Sequence, residues 1–147
     1  FYLSKISALK RKPIPLLSDV LKASKNKFPL FIEIKPFFSK RILKNLVKET
    51  SKFKNCIFIS FNHKNIYNLL KIKPNIKTGL SFSNTSKVKT IIKLSKNKKI
   101  NFLILDKIFL NSRNIQQLKI KKYFYTIKKK SEFKKYSKNN NLIFENI

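Results

Sequence analysis

Six short, nearly continuous apolar runs punctuate this chain, and after each of the first five the apolar residues switch to helical spacing. The runs cover residues 30–35, 56–61, 77–82, 101–106, 122–127 and 141–144, and are rich in Ile, Phe and Tyr. Strands buried on both faces read this way, because neither face can be polar. Between them Leu43, Leu46, Val47 and Phe53 share one helical face, as do Ile66, Leu69 and Leu70, then Val88, Ile91 and Ile92. Ile115 with Leu118, and Phe133 with Tyr136, mark two shorter helices. Asn62, Ser83 or Asn84, and Ser131 are expected to cap helix N-termini.

Strict alternation of this kind predicts an α/β chain with a parallel sheet and right-handed crossovers. Two closures satisfy it: an open, doubly wound sheet, or a TIM-barrel type parallel β/α barrel with about six of its eight strands. No glycine-rich phosphate loop follows any run, which weighs against a nucleotide-binding doubly wound sheet. A complete barrel of this type takes roughly 250 residues. At 147 residues, beginning at Phe1, the chain is expected to be the C-terminal part of such a barrel, with residues 1–147 as one domain. Residues 1–29 stand outside the alternation: Leu3, Ile6 and Leu9 predict a short helix, and residues 18–25 another.

The formal charge of +29 raises the question of nucleic acid. Of the 35 basic residues, however, only Arg11, Arg41 and Arg113 are arginines, the side chain best suited to phosphate forks and base edges. The lysines are spread over the polar positions of the helices, as a solvated surface would be, so no specific nucleic-acid partner is expected. Cys56 is the sole cysteine and lies in an apolar run, so it reads as a small buried hydrophobe, without disulfide or Cys-based metal site. No run approaches the roughly 18 apolar residues of a membrane span. The expected compartment is the cytoplasm.

The first run carries the most chemistry. In residues 30–36, Ile32 and Ile34 alternate with Phe31, Glu33 and Lys35, so the last three share the face opposite the helices. A carboxylate in an apolar strand is costly unless it is paired or holds a cation. Pro36 ends the strand directly afterwards, which puts Glu33 and Lys35 at its C-terminal end, the face where barrel active sites lie. Glu33 can offer oxygen to Ca²⁺ or Mg²⁺ and Lys35 can neutralise a phosphoryl oxygen; a mutual ion pair is the competing reading. His63, Asp106 and Tyr125 also fall at strand ends. A surface histidine, a turn or cap aspartate, and a core aromatic are their plainer readings. No Ser–His–Asp or Cys–His constellation is visible, and one histidine and six acidic residues leave little to build one from.

The order of motifs resembles the glycerophosphodiester phosphodiesterase family over nearly the whole chain. IPLLSDVL at 14–21 is similar to the family's IPTLEEVL, FIEIKP at 31–36 to NIEIKP, and ISFNH at 59–63 to ISSFNH. PNIKTGL at 74–80 follows, similar to PDIRTGLL, then YFYTI at 123–127, similar to YVWTVN, and LIFE at 142–145, where the family has GIITD. The resemblance implies a divalent-cation-dependent hydrolase that cleaves glycerophosphodiesters to an alcohol and glycerol 3-phosphate. It implies Glu33 as a metal ligand and Lys35 and Tyr125 as substrate-binding residues. Tyr125 stands where many members carry Trp, Lys128 replaces the usual Asn, and Asn140 and Asn141 replace glycines. The family's His-Arg, Glu-x-Asp and His-Asp elements, which hold its acid and base histidines and most metal ligands, have no counterpart here. The catalytic residues are therefore expected upstream of Phe1, and the chain alone is expected to be inactive. The alternative is a barrel that keeps only the scaffold.

Overall fold

The computed structural model describes residues 14–145. Helix α1 (Leu17–Ser24) leads into strand β1 (Leu30–Glu33), and the chain then alternates: α2 (Lys40–Glu49), β2 (Cys56–Ser60), α3 (His63–Ile72), β3 (Thr78–Phe82), α4 (Val88–Ser95) and β4 (Phe102–Asp106). A 3-10 turn (Lys107–Asn111) and the short α5 (Arg113–Gln116) connect to β5 (Lys121–Ile127); α6 (Lys130–Tyr136) and β6 (Asn141–Phe144) complete it. The helix expected around Leu3, Ile6 and Leu9 lies outside the described residues.

All six strands are parallel, in the order β1-β2-β3-β4-β5-β6. That order decides between the two closures. A doubly wound sheet reverses its strand order at a switch point, whereas here every strand pairs with its sequence neighbours, as in a barrel. The sheet is an incomplete TIM-type barrel, with β1 and β6 as its two edges among the described residues.

Each sheet face has its own cluster. Outside, Ile34, Phe58, Leu80, Phe82, Leu103, Leu105, Phe124 and Ile127 pack against helix residues including Leu43, Ile66, Leu69 and Ile91. Full burial of side chains of this size stabilises by roughly 1.5–3 kcal/mol each, so this layer carries most of the fold. Inside, the buried Ile57, Ile59 and Ile104 pack with Phe31, Phe102, Tyr123, Tyr125 and Ile143. Phe31 meets Tyr123 edge-on at 4.9 Å and Phe102 at 6.4 Å, and the three half-buried rings pack on one another along the inner face. Gly79 fits between its register partners Ile59 and Phe102: a β-carbon there would come within 3.2 Å of Ile59 Cγ2 and of Phe102 Cβ.

The helices differ from expectation mainly at their ends. Asn62 caps α3 as predicted, its side chain accepting from the Lys64 N–H. Ser83 and Asn84 do not cap α4, which begins at Val88 after a loop in which the Ser83 and Thr85 hydroxyls bond each other at 2.9 Å. Ser131 lies within α6, whose cap position is Lys129. Phe53 lies beyond the end of α2 at Glu49 and still packs on the outer cluster. In each case periodicity located the buried face, while the helix end depended on loop hydrogen bonds that periodicity does not register.

Candidate functional site

Strand alternation delivers Phe31, Glu33 and Lys35 to the interior, as their spacing requires, and leaves Ile34 buried on the helix side at 2 % exposure. At the C-terminal mouth these three, with Ile59, Phe61, Ser81, Ile104, Tyr125, Thr126 and Ile143, line a cleft of about 490 Å³. Its walls are apolar, and its charge comes from Glu33 and Lys35, both exposed. Few charged groups converging in an apolar concavity is the pattern of a small-molecule site. Glu33 and Lys35 do not pair with each other. Among the described residues the ion pairs are Lys107–Glu132 at 2.8 Å and Lys128–Glu145 at 3.8 Å, and the second engages the lysine that stands in place of asparagine.

Tyr125 is placed by β5 at the cleft wall, its ring edge-on to Phe61 at 5.9 Å. Its hydroxyl donates to the Phe82 carbonyl at 3.0 Å, so its one proton is already engaged. Burial first, then the carboxylates of Asp106 and Glu33, push its phenol up to about 12. Both carboxylates are thus close enough to be felt at the mouth. A register shift in the β5–β6 pairing between Phe124 and Ile127 accompanies the placing of two consecutive residues, Tyr125 and Thr126, on the cleft.

Asp106 takes its plainer role as a cap, whereas His63 is half-buried and is not the surface histidine of its plainer reading. His63 opens α3, sits edge-on to Phe82, and its Nε2 bonds the Ser81 carbonyl at 2.9 Å, outside the cleft lining. Asp106 caps the 3-10 turn through Oδ1, which accepts from the Ile108 N–H at 2.9 Å. Cys56 is buried, and burial raises its thiol.

Two residues at the mouth were not singled out in the sequence. Ser81 faces inward with 2 % exposure, and its hydroxyl lacks any hydrogen-bond partner; among the described residues it is the one buried side-chain polar atom so placed. Asn65, fully buried on α3, hydrogen-bonds the loop that follows β1. Neither carries a sequence signal, because a lone Ser or Asn among apolar residues has no periodicity of its own.

Among the described residues no three His, Cys, Asp or Glu side chains gather as a metal site. Glu33 alone offers one carboxylate, too few for a cation that takes six or more oxygens. The residues described therefore do not hold a divalent cation by themselves. No described helix is long and apolar enough to cross a membrane.

No protein-family model and no curated protein matches the chain. Solved structures do. It is similar to a phosphodiesterase from Oleispira antarctica, solved in complex with its product sn-glycerol-3-phosphate: TM-score 0.70, 19 % identity, 89 % of this chain and 57 % of that one. The chain has the fold of the glycerophosphodiester phosphodiesterases. The enzyme of that name from Parabacteroides distasonis gives TM-score 0.65 at 15 % identity, over 88 % of this chain and 59 % of its own. The one from Agrobacterium tumefaciens gives 0.65 at 11 %, over 90 % and 58 %. The chain thus spans a little under three fifths of the length of each of these three structures.

Proposed function

We propose that the cleft is the phosphate-binding part of a glycerophosphodiester phosphodiesterase site. The observation that carries this reading is the convergence of Glu33 and Lys35, unpaired with each other, on one apolar cleft at the C-terminal mouth of this fold. The likeness to an enzyme solved with sn-glycerol-3-phosphate supports the choice of ligand. The Lys35 ammonium meets a phosphoryl oxygen and offsets the charge that builds on it during cleavage to an alcohol and glycerol 3-phosphate. Phe61 and the Tyr125 ring wall in the glycerol backbone and exclude water from that contact.

A divalent cation, Ca²⁺ or Mg²⁺, belongs to the same proposal, with Glu33 as one of its oxygen donors. Since the described residues supply no complete ligand set, the remaining donors are not assigned to them. Proton transfer is likewise not assigned within the chain: its one histidine is engaged with the Ser81 carbonyl, away from the cleft lining. On this reading the chain alone binds glycerol 3-phosphate and does not hydrolyse glycerophosphodiesters.

The test is a titration of the isotope-labelled chain with sn-glycerol 3-phosphate, followed by amide shifts. Expected are saturable shifts centred on Glu33, Lys35, Ser81 and Tyr125, with affinity falling about tenfold in Lys35→Ala, the scale of one lost charge-assisted hydrogen bond. Weak shifts scattered over the many lysines would refute it and favour a barrel that keeps only the scaffold.

A further inference from the structure

Lys35 lies just past the end of β1, on a segment with little burial of its own: Pro36 and Phe37 are exposed, Phe37 at 59 %. Such a segment is ordinarily mobile, because exposed loop atoms gain little to offset their conformational entropy. Here its backbone is pinned on both sides of Lys35. On one side, the Ser60 hydroxyl donates to the Ile34 carbonyl at 2.5 Å, and the Ile34 N–H donates to the Ile59 carbonyl at 2.8 Å. On the other, Asn65 Nδ2 donates to the Pro36 carbonyl at 2.8 Å and Asn65 Oδ1 accepts from the Phe38 N–H at 3.0 Å.

Asn65 and Ser60 are both fully buried and touch each other, Nδ2 to Oγ at 3.3 Å, while Oγ also accepts from the Asn62 N–H at 3.1 Å. One buried network thus runs from the start of α3 to three backbone groups bracketing Lys35. The residue types fit the task. Proline has no N–H, so its carbonyl is its only hydrogen-bonding group. An amide side chain can donate and accept at once, as is needed to bridge a carbonyl and an N–H two residues apart. Fully satisfied buried networks of this kind rigidify what they touch.

We propose that Asn65, with Ser60, is a positioning residue for Lys35: it fixes the backbone from which the ammonium reaches the cleft. Lys35 is a flexible side chain carrying a point charge. Holding its Cα still removes part of the ordering cost that a phosphate ligand would otherwise have to offset. The role depends on the assignment of Lys35 to phosphate made above, so its experiment has one arm with ligand and one without.

In the ligand arm, affinity for sn-glycerol 3-phosphate is measured for Asn65→Leu, Lys35→Ala and the double variant. Asn65→Leu keeps the branched heavy-atom outline, with bulkier methyl groups, while removing all three hydrogen bonds of the amide. Expected is a loss of about tenfold in the wild-type background and no further loss in the Lys35→Ala background. Equal losses in both backgrounds, or none in either, would overturn the proposal, because a general loosening of the fold lowers affinity whether or not Lys35 is present. Ile115→Val, a buried change on the distant α5, controls for stability and should leave affinity unchanged.

In the ligand-free arm, amide exchange and order parameters are followed over residues 34–38. Asn65→Leu, or Asn65→Ala if the leucine variant folds poorly, should speed Phe38 exchange at least tenfold and loosen residues 35–38. Ile115→Val should do neither. An unchanged loop would overturn the latch. If the wild-type chain binds no glycerol 3-phosphate, or Lys35→Ala binds as well as wild type, the assignment of Lys35 fails instead, and the latch is decided by exchange alone.

Discussion

Ser60 and Ser81 are the same residue type at the same depth, with 0 % and 2 % exposure, each near the C-terminal end of a central strand, and replacing them by alanine should change stability in opposite directions. The Ser60 hydroxyl makes three hydrogen bonds: to the Ile34 carbonyl, from the Asn62 N–H and from Asn65 Nδ2. Ser60→Ala leaves the first two of these backbone groups without that partner, and a buried group left unsatisfied costs about 1–3 kcal/mol. The expected loss is about 2–3 kcal/mol, which for a chain of this size lowers Tm by roughly 5–10 °C. Ser81 Oγ has no partner to lose. Ser81→Ala removes a desolvated hydroxyl at the cost of a void smaller than a methyl group, for a net gain of about 1 kcal/mol. The assay is urea unfolding followed by circular dichroism, comparing midpoints at constant slope. If both variants lose stability alike, the contrast drawn between the two hydroxyls is wrong.

Gly79→Ala should destabilise by about 1–3 kcal/mol, read in the same urea assay, since the new methyl would press on Ile59 and Phe102 inside the barrel. Tyr125 should remain neutral well above pH 10 when phenolate absorbance is titrated in the native chain, because its phenol is raised to about 12. The fold then binds more protons than the unfolded chain above pH 10, so this contribution to stability is full below pH 10 and is lost as pH rises through about 12. Tyr125→Phe should abolish that alkaline loss. Cys56, buried with its thiol raised, should resist a thiol reagent in the native state and react fully once the chain is unfolded; rapid reaction in the native state would contradict the packing of β2.

Periodicity made much of the fold legible. A period of two placed Glu33 and Lys35 on one face, a period near 3.6 marked the faces of α2 and α3, and the six runs became the six strands within a residue or two. Asn65 escaped because a polar residue beside Ile66 on a helix reads as solvent-facing, yet it is wholly buried against a loop 29 positions away. Spacing puts Tyr125 at a strand end beside the cleft, but that its hydroxyl donates to a carbonyl 43 positions away carries no trace in the sequence.

The sequence by itself determined that strands and helices alternate, which face of each strand is apolar, and that a carboxylate and an ammonium leave the first strand on the same side. These depend on local spacing, which the pleat and the helical turn convert directly into direction. Only the tertiary structure decided that the strands pair in sequential order as an incomplete barrel, that Glu33 and Lys35 do not pair with each other, and that of two buried serines one anchors a loop while the other has no partner. Those outcomes depend on groups brought together from distant parts of the chain by the curl of the sheet, and spacing along the sequence carries no record of such meetings.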